Sequence, residues 1–309
     1  MRNEKVLIVD EVHASMADGL RALGYEVDER FDMLGSDIPG ALASYQGLVI
    51  RSKTKLTAEV LAQAPELRFI ARAGAGLDLI DLDYCEANQI AVFAANEGNK
   101  DAVAEHVMGQ LLVIAHKLNT ADAEVRAGIW RREANRGWEI SGKTIGIIGY
   151  GNMGRALAQR LKGFDVQILA YDKYRPAEEF NAHLQDIFEQ ADIVSLHIPL
   201  TEETRGMVNE AFLAQFKKPI VLLNSSRGPI SPLLPLLAGM QTGKIKGLAL
   251  DVLPNEKLTT WSEEEKDIFE SLKSFPTTVF SPHVAGWTTE SYSKINYVLL
   301  DKIKAHFTR

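Results

Sequence analysis

The chain has 309 residues, of which 46% are hydrophobic, and its net charge of −7 does not favour a broad nucleic-acid-binding surface. Its single cysteine, Cys85, excludes an intrachain disulfide and a cysteine-based zinc cluster, and we expect no metal site. The N-terminus lacks an apolar leader and no apolar run approaches about 18 residues, so we expect a cytoplasmic protein without a membrane span.

Short apolar runs alternate with helical patterns along the chain, which is typical of an α/β protein with parallel sheets. The runs at 5–10, 47–50, 67–71 and 90–94 predict strands, and the amphipathic stretch 57–64 predicts a helix. A long helical pattern then covers 102–118, and the charged segment 119–137 follows it. Six further apolar runs between Lys143 and Ser281 predict a second series of strands, and the stretch from Thr289 predicts a closing helix.

Two series of strands predict two domains, each Rossmann-like or flavodoxin-like, with a cleft between them. We expect one domain to comprise residues 1–98 and 286–309, and the other to comprise residues 99–285. The first is discontinuous because the final helix is too short to fold alone and is expected to pack back on it.

The second strand series begins with a dinucleotide-binding fingerprint, GYGNMG at 149–154. It follows a strand-like run and begins a helical one, and the next strand ends at Asp172, 18 residues after Gly154. Gly149 permits the tight turn, Gly151 lets the backbone approach a pyrophosphate, and Gly154 permits close helix–strand contact. Asp172 is placed to bind the adenosine ribose and to repel a 2′-phosphate, which favours NAD over NADP.

Polar residues stand at the ends of later strands. Arg227 follows VLLNSS, Asp251 follows GLAL and is itself followed by Glu256, and His283 follows TTVFSP. Ligands of an open parallel sheet bind outside the carboxyl ends of its strands, so these side chains are candidates for one active site.

At these residues the chain resembles the D-isomer-specific 2-hydroxyacid dehydrogenase family. The resemblance covers nearly the whole chain. It rests on motifs in the family's order: IRSKTKLTAEVL at 50–61, ARAGAGLDLIDL at 71–82, NEGNKDAVAEH at 96–106, GKTIGIIGYGNMG at 142–154, ADIVSLHIPLTEETRGMVN at 191–209, NSSRGPI at 224–230, GLALDVLPNE at 247–256 and SPHVAGWT at 281–288.

The resemblance implies three catalytic residues. Arg227 matches the arginine that holds the substrate carboxylate and polarises the reacting carbonyl. His283 matches the acid/base that exchanges the hydroxyl proton, and Glu256 matches its carboxylate partner. The resemblance also implies a wider NAD site, formed with the three glycines and Asp172 by Asn152, Met153, His197, Pro199, Thr204, Ser225, Ser226, Arg227, Asp251, His283 and Gly286.

The N-terminal domain carries the residues that the resemblance assigns to the substrate. Arg51 and Ser52 match a phosphate-binding segment, and the loop Arg72-Ala73-Gly74-Ala75-Gly76 matches one whose amides hold the substrate carboxylate. The chain departs from the family at Ser231-Pro232-Leu233 and at Lys257, and both changes are expected to reshape the rim of the cleft. No C-terminal regulatory domain is expected after the closing helix.

Within the family the chain is most like the D-3-phosphoglycerate dehydrogenases. The resemblance therefore implies NAD-dependent oxidation of D-3-phosphoglycerate to 3-phosphohydroxypyruvate in serine biosynthesis, by a homodimer that pairs through residues 99–137. Two alternatives stay open: a hydroxypyruvate or glyoxylate reductase of the same family, and a non-catalytic NAD-sensing scaffold like the corepressors of this fold. A formate dehydrogenase is disfavoured because it would require glutamine at the position of Glu256.

Overall fold

The computed structural model describes residues 4–176 and 179–307. The chain divides into two compact units, unit 1 (Met1–Lys100 with Trp287–Arg309) and unit 2 (Asp101–Gly286). Within the described ranges, no helix combines the length and apolar character that crossing a membrane requires.

Eleven strands and twelve α-helices are found in the described residues. The strands are β1 (Lys5–Ile8), β2 (Glu26–Glu29), β3 (Gly47–Ile50), β4 (Phe69–Arg72), β5 (Ala91–Ala94), β6 (Thr144–Ile148), β7 (Gln167–Tyr171), β8 (Ile193–Leu196), β9 (Ile220–Asn224), β10 (Ile245–Leu250) and β11 (Thr278–Phe280). The helices are α1 (Ser15–Ala22), α2 (Ile38–Ala41), α3 (Ala58–Leu61), α4 (Leu82–Ala87), α5 (Lys100–His116), α6 (Leu118–Arg126), α7 (Asn152–Leu161), α8 (Leu184–Gln190), α9 (Glu210–Gln215), α10 (Leu233–Gln241), α11 (Glu263–Lys273) and α12 (Thr289–Phe307).

Unit 1 is built on a five-stranded parallel sheet in the order β2-β1-β3-β4-β5. The apolar sequences of β1 and β3 place these strands in the interior. The edge strand β2 was not predicted, because its sequence EVDE has three acidic residues and only one apolar residue and so lacks the apolar run typical of a strand. Helix α12 packs against α1, and its Leu299 and Ile303 share a buried cluster with Met16 and Leu20.

Unit 2 is built on a six-stranded parallel sheet in the order β11-β10-β9-β8-β6-β7. Both faces are covered, because one buried cluster joins the sheet to α5 and α7 and a second joins it to α8, α9, α10 and α11. A strand buried on both faces has a continuous apolar sequence, as β6 (TIGII) and β9 (IVLLN) have. All six predicted strands of this unit are present, and the predicted α/β class is confirmed.

The segment after α5 differs from the sequence prediction. The predicted helix over 102–118 ends at His116, where Lys117 adopts a left-handed backbone with φ of +52°. Helix α6 then occupies the first part of 119–137, for which no element was predicted. Its mixed polar sequence gives only a weak helical pattern, since Glu124 is its one buried residue.

Candidate active site

The turn between β6 and α7, residues 149–154, follows the buried strand directly. Gly149 has φ of +96°, and a Cβ there would lie 2.4 Å from the carbonyl oxygen of His197, so the position requires glycine. A Cβ on Gly154 would lie 2.2 Å from the carbonyl oxygen of Gly149, so glycine here lets α7 approach the strand. A Cβ on Gly151 would meet no atom within 4 Å, which leaves the first turn of α7 accessible. This geometry suits a pyrophosphate at a helix N-terminus.

Asp172 directly follows β7 and is bound to that turn. Its Oδ2 accepts a hydrogen bond from the Tyr150 amide at 2.8 Å, and its Oδ1 accepts from the Tyr174 and Arg175 amides at 2.9 and 3.0 Å. Burial acts to raise the pKa of Asp172, but the three amides and the Arg175 charge outweigh it and hold the pKa below its usual value. A carboxylate offers about four lone-pair directions, so Asp172 retains capacity to accept from a ribose hydroxyl.

His197 follows β8, beside the glycine turn. Its amide donates to the carbonyl of Ile148 at 2.7 Å, and its Nε2 lies 2.8 Å from Oγ of Ser195. Burial lowers the pKa of His197 to about 4, so the ring is neutral at physiological pH. The loop beyond it is closed by Thr204, whose Oγ1 donates to the carbonyl of Pro199 at 2.7 Å.

A buried asparagine, Asn224, organises the loop that carries Arg227. It is the last residue of β9 and is fully buried. Its Oδ1 accepts from the amide and hydroxyl of Ser226 at 2.9 and 2.7 Å, and its Nδ2 donates to the carbonyl of Arg227 at 3.0 Å and to Oγ of Ser231 at 2.7 Å. Ser231 is only 1% exposed, because its hydroxyl belongs to the buried network beneath Arg227, and the expectation that Ser231-Pro232-Leu233 reshapes the rim of a cleft stays a prediction.

Asp251 follows β10 and holds the turn after β11. Its carboxylate is 1% exposed. Oδ1 accepts from the Ser281 hydroxyl at 2.6 Å and from the Val284 amide at 3.0 Å, and Oδ2 accepts from the Ala285 amide at 2.9 Å. Two of these bonds fix the backbone directly after His283, and the third holds the Ser281 side chain two residues before it. The structure therefore gives Asp251 a positioning task, and its sequence-based assignment to the nicotinamide stays a prediction.

His283 is held in an unusual backbone conformation next to a carboxylate. Its φ is +55°, a left-handed value that is costly for a residue with a side chain, and its amide donates to the carbonyl of Asp251 at 2.7 Å. Its Nδ1 lies 2.9 and 3.0 Å from the two carboxylate oxygens of Glu256, and both side chains are about half exposed. Because β9, β10 and β11 are adjacent and parallel, Arg227, Asp251 and His283 follow the carboxyl ends of three neighbouring strands.

The predicted substrate residues lie at the carboxyl edge of the other sheet, in unit 1. Asp10 follows β1, and its Oδ2 accepts the backbone amides of residues 51, 52 and 53 at 2.6, 3.1 and 3.3 Å. The 72–76 loop begins beside them, since the Ala73 amide donates to the carbonyl of Ile50 at 2.8 Å. Arg51 and Ser52 therefore lie beside the start of the 72–76 loop, at Arg72 and Ala73, within unit 1.

Several observations within unit 2 fit the predicted dinucleotide. Oγ of Ser225 is buried and has no hydrogen-bond partner in the described part of the chain, as expected for a group that a ligand would satisfy. Asn152 is the first residue of α7, Met153 packs on the unit's core, and Gly286 is the unit's last residue. Together with the glycine turn and Asp172, these residues fit NAD, and their individual roles stay predictions.

Two positioning residues on α5 were missed by the sequence analysis. His106 Nε2 lies 2.9 Å from Oγ of Ser281, and Gln110 Nε2 donates to the same oxygen at 3.0 Å. They thereby direct the Ser281 hydroxyl towards Asp251. The sequence contains one indication of this pair: Gln110 is a polar residue within an otherwise apolar helical stretch, four positions after His106 and therefore on the same face of the helix.

The chain matches a known family model over much of its length. Residues 108–285 match the model for the D-isomer specific 2-hydroxyacid dehydrogenase, NAD binding domain. The chain is 34% identical over 285 residues to a (S)-sulfolactate dehydrogenase of Chromohalobacter salexigens, with coverage of 90% of this chain and 88% of that protein.

Two further comparisons extend over nearly the whole chain. A D-3-phosphoglycerate dehydrogenase of Archaeoglobus fulgidus is 31% identical over 305 residues, which is 97% of this chain but only 56% of that protein's length. The structure of a D-lactate dehydrogenase from Aquifex aeolicus, complexed with NAD and lactic acid, superposes with a TM-score of 0.83 at 24% identity, covering 99% of this chain and 96% of the other. At that identity the superposition shows a shared fold.

Proposed function

Because the chain belongs to the D-isomer-specific 2-hydroxyacid dehydrogenase family, we propose that its substrate is D-3-phosphoglycerate, which it oxidises to 3-phosphohydroxypyruvate. The chain is an NAD-dependent oxidoreductase, as its family is. We propose the identity of the 2-hydroxy acid that the protein oxidises, and with it a cytoplasmic role in serine biosynthesis.

The observation that carries the proposal is the environment of Arg51. Its guanidinium forms no ion pair with a carboxylate of residues 4–176 or 179–307, because the nearby Asp10 is occupied by backbone amides. A cation at a sheet edge without such a partner is suited to an anionic ligand. The relatives support this choice, since 3-phosphoglycerate and sulfolactate are both 2-hydroxy acids with a second anionic group on C3. In sulfolactate, the sulfur-bearing carbon outranks the carboxylate in the priority rules, so its S descriptor denotes the same spatial arrangement as D-3-phosphoglycerate.

His283 supplies the acid/base chemistry. Its Nδ1 is engaged with Glu256, so the neutral ring carries its proton on Nδ1 and keeps the Nε2 lone pair for the substrate hydroxyl. When Nε2 takes that proton, the imidazolium is stabilised by the Glu256 carboxylate. NAD, when bound, accepts the hydride from C2 of the substrate.

Arg227 supplies the fixed positive charge. Its guanidinium Nη1 donates to the carbonyl of Ser226 at 2.7 Å, and its backbone is tied to Asn224, so its position is set before substrate arrives. In the proposed reaction it binds the substrate carboxylate and stabilises the carbonyl oxygen that forms at C2.

The test of the proposed substrate is NADH formation by the purified protein with D-3-phosphoglycerate, L-lactate and D-glycerate. D-3-phosphoglycerate is expected to be the best substrate of the three and L-lactate to be inert. A second arm with (S)-sulfolactate tests the sulfonate counterpart. If D-glycerate equals or exceeds both anionic substrates, the protein belongs with the hydroxypyruvate and glyoxylate reductases instead.

A first prediction concerns the choice between NAD and NADP. Lys173, the cation closest in sequence to Asp172, is ion-paired with Glu203, so it is poorly placed to attract a 2′-phosphate. Replacing Asp172 with Ala should lower kcat/KM for NADH by about tenfold or more through the lost ribose contact. It should raise the NADPH to NADH ratio of kcat/KM. Asp267→Ala on the exposed face of α11 is the control, and an unchanged cofactor ratio in Asp172→Ala would contradict the assignment.

We also propose that the protein is a homodimer that pairs through the face around α6. Four large apolar side chains near this helix are substantially exposed: Leu118 (51%), Val125 (53%), Ile129 (42%) and Trp130 (77%). Apolar side chains that are clustered and exposed in this way commonly mark an interface.

The second prediction tests this face. Trp130→Asp combined with Val125→Asp should convert the dimer to a monomer in analytical ultracentrifugation, because each change places a charge in a dry interface. Leu234→Asp, at a residue that is 57% exposed on α10, is the matched control and should leave the mass unchanged. A wild-type protein that sediments as a monomer would refute the proposal.

A further inference from the structure

The guanidinium of Arg51 lies over an indole ring in unit 1. Its Cζ is 3.8 Å from the centroid of the Trp287 ring, which is within the range of a strong cation–π contact. The indole in turn lies 5.7 Å from the ring of Tyr292, and Tyr292 meets His13 edge-on at 5.8 Å. Arg51 thus lies at one end of a row of ring contacts that runs through Trp287 and Tyr292 to His13.

The backbone on either side of this stack is fixed. On one side, Asp10 binds the amide of Arg51 at 2.6 Å. On the other side, Thr288 and Ser291 form reciprocal hydrogen bonds at the start of α12, with amide-to-hydroxyl distances of 2.9 and 3.1 Å. Trp287 immediately precedes this cap, so the start of α12 sets where the indole lies.

The cation–π contact itself uses no N–H hydrogen bond, so it leaves the N–H groups of the guanidinium for a ligand. The one side-chain hydrogen bond recorded for this guanidinium within the described chain is a long contact of 3.5 Å from Nη1 to the carbonyl of Glu11. Burial lowers the pKa of Arg51, and the charges of Asp10, Tyr292 and Glu11 oppose that shift. An arginine nevertheless stays protonated at neutral pH, so it is a partly desolvated cation with an available edge.

Trp287 does not contribute to the core in the described part of the chain. Its side chain is 52% exposed and it belongs to none of the buried clusters. Its two ring contacts are with Tyr292 and with the proposed anion-binding arginine, so its contact partners lie at the predicted substrate residues.

We infer that Trp287 is a positioning residue for substrate specificity: its indole holds the Arg51 guanidinium in one plane, so that its N–H edge binds the phosphate or sulfonate on C3 of the substrate. This rests on the proposed function. A guanidinium that bonds two oxygens at once binds its anion more tightly when it is already held in one orientation, because less rotamer freedom is lost on binding. Trp287 contributes to the KM for anionic substrates and takes no part in the chemical step.

The test compares Trp287→Ala, Trp287→Phe, Arg51→Ala and the double variant Arg51→Ala/Trp287→Ala. Each is assayed by NADH oxidation with 3-phosphohydroxypyruvate, 3-sulfopyruvate and hydroxypyruvate. Trp287→Ala should raise KM for the two anionic substrates by about tenfold, while kcat and the KM for hydroxypyruvate change by less than about threefold. Trp287→Phe keeps an aromatic face and should recover most of the loss.

The double variant separates positioning from packing. If Trp287 acts through Arg51, removing Trp287 from the Arg51→Ala protein costs less than about a further twofold. Tyr297→Ala, on α12 with a side chain that is 55% exposed, controls for loss of a surface aromatic and should behave as wild type. Equal losses on all three substrates, or a Phe variant as impaired as the Ala variant, would overturn the inference.

A binding measurement distinguishes failure of this inference from failure of the proposed function. D-3-phosphoglycerate is titrated into wild type, Trp287→Phe and Arg51→Ala without NAD, and the change in tryptophan fluorescence is measured. A signal change that needs both Trp287 and Arg51 supports the inference even if D-3-phosphoglycerate is not turned over. Turnover of D-3-phosphoglycerate with unaltered KM in Trp287→Ala leaves the proposed function standing and refutes the inference alone.

Discussion

Replacing His283 with Asn will lower kcat by about 10³-fold, because general acid–base catalysis by a positioned histidine contributes roughly two to four orders of magnitude. Asn cannot accept the hydroxyl proton, although it is similar in size and can still hydrogen-bond to Glu256. Affinity for NADH, measured by fluorescence titration, should stay within about twofold, since the glycine turn and Asp172 are untouched.

Glu256→Gln provides the graded comparison for this prediction. It keeps a hydrogen-bond acceptor near Nδ1 of His283 but removes the charge that stabilises the imidazolium, so kcat should fall by about 10- to 100-fold. His116→Asn, at the exposed end of α5, is the control variant. Turnover that survives in His283→Asn would contradict the assignment of His283 as the acid/base. A wild-type protein that binds NADH but turns over none of these acids would instead favour a binding protein of the corepressor type.

Replacing Arg51 with Ala will raise KM for 3-phosphohydroxypyruvate by about 10- to 100-fold, the loss expected when a charged hydrogen-bonding partner is removed. The KM for hydroxypyruvate, which lacks the phosphate, should change little. Arg51→Lys keeps the charge but loses the planar fork and the contact over Trp287. Its KM for 3-phosphohydroxypyruvate should therefore lie between those of wild type and Arg51→Ala.

The control for Arg51 is Arg30→Ala, which removes an exposed arginine of the same unit and should leave both KM values unchanged. The conclusion depends on the ratio of the KM values for the two substrates, because a general loss of folding impairs activity with both substrates together. A KM for hydroxypyruvate that rises as far as that for the phosphorylated acid would contradict a phosphate contact at Arg51.

Much of this fold could be predicted because its determinants are local. The six strands of unit 2 are continuous apolar runs, and the glycine turn follows the first of them at the spacing that a dinucleotide requires. The pairing of Glu256 with His283 was inferred from motif order, and the structure brings those two side chains within hydrogen-bonding distance. The parallel sheet explains why polar residues at the ends of separate strands meet at one edge.

What the sequence missed depends on residues that are distant in the chain. Arg51 and Trp287 are 236 residues apart, and neither position alone indicates a stack. The same holds for His106 and Ser281, which come together only when α5 packs beside β11. Ser231 stood out in the sequence only as a departure from the family's motif, whereas in the structure its hydroxyl completes the hydrogen bonds of the buried Asn224.

The most direct test of the central claim is kcat/KM for NADH oxidation by the purified protein with 3-phosphohydroxypyruvate, hydroxypyruvate and glyoxylate. We predict a preference of about tenfold or more for the phosphorylated acid, which corresponds to about 1.4 kcal/mol of transition-state discrimination. A preference for hydroxypyruvate or glyoxylate would contradict the proposed substrate and assign the protein to the reductase branch of the same family.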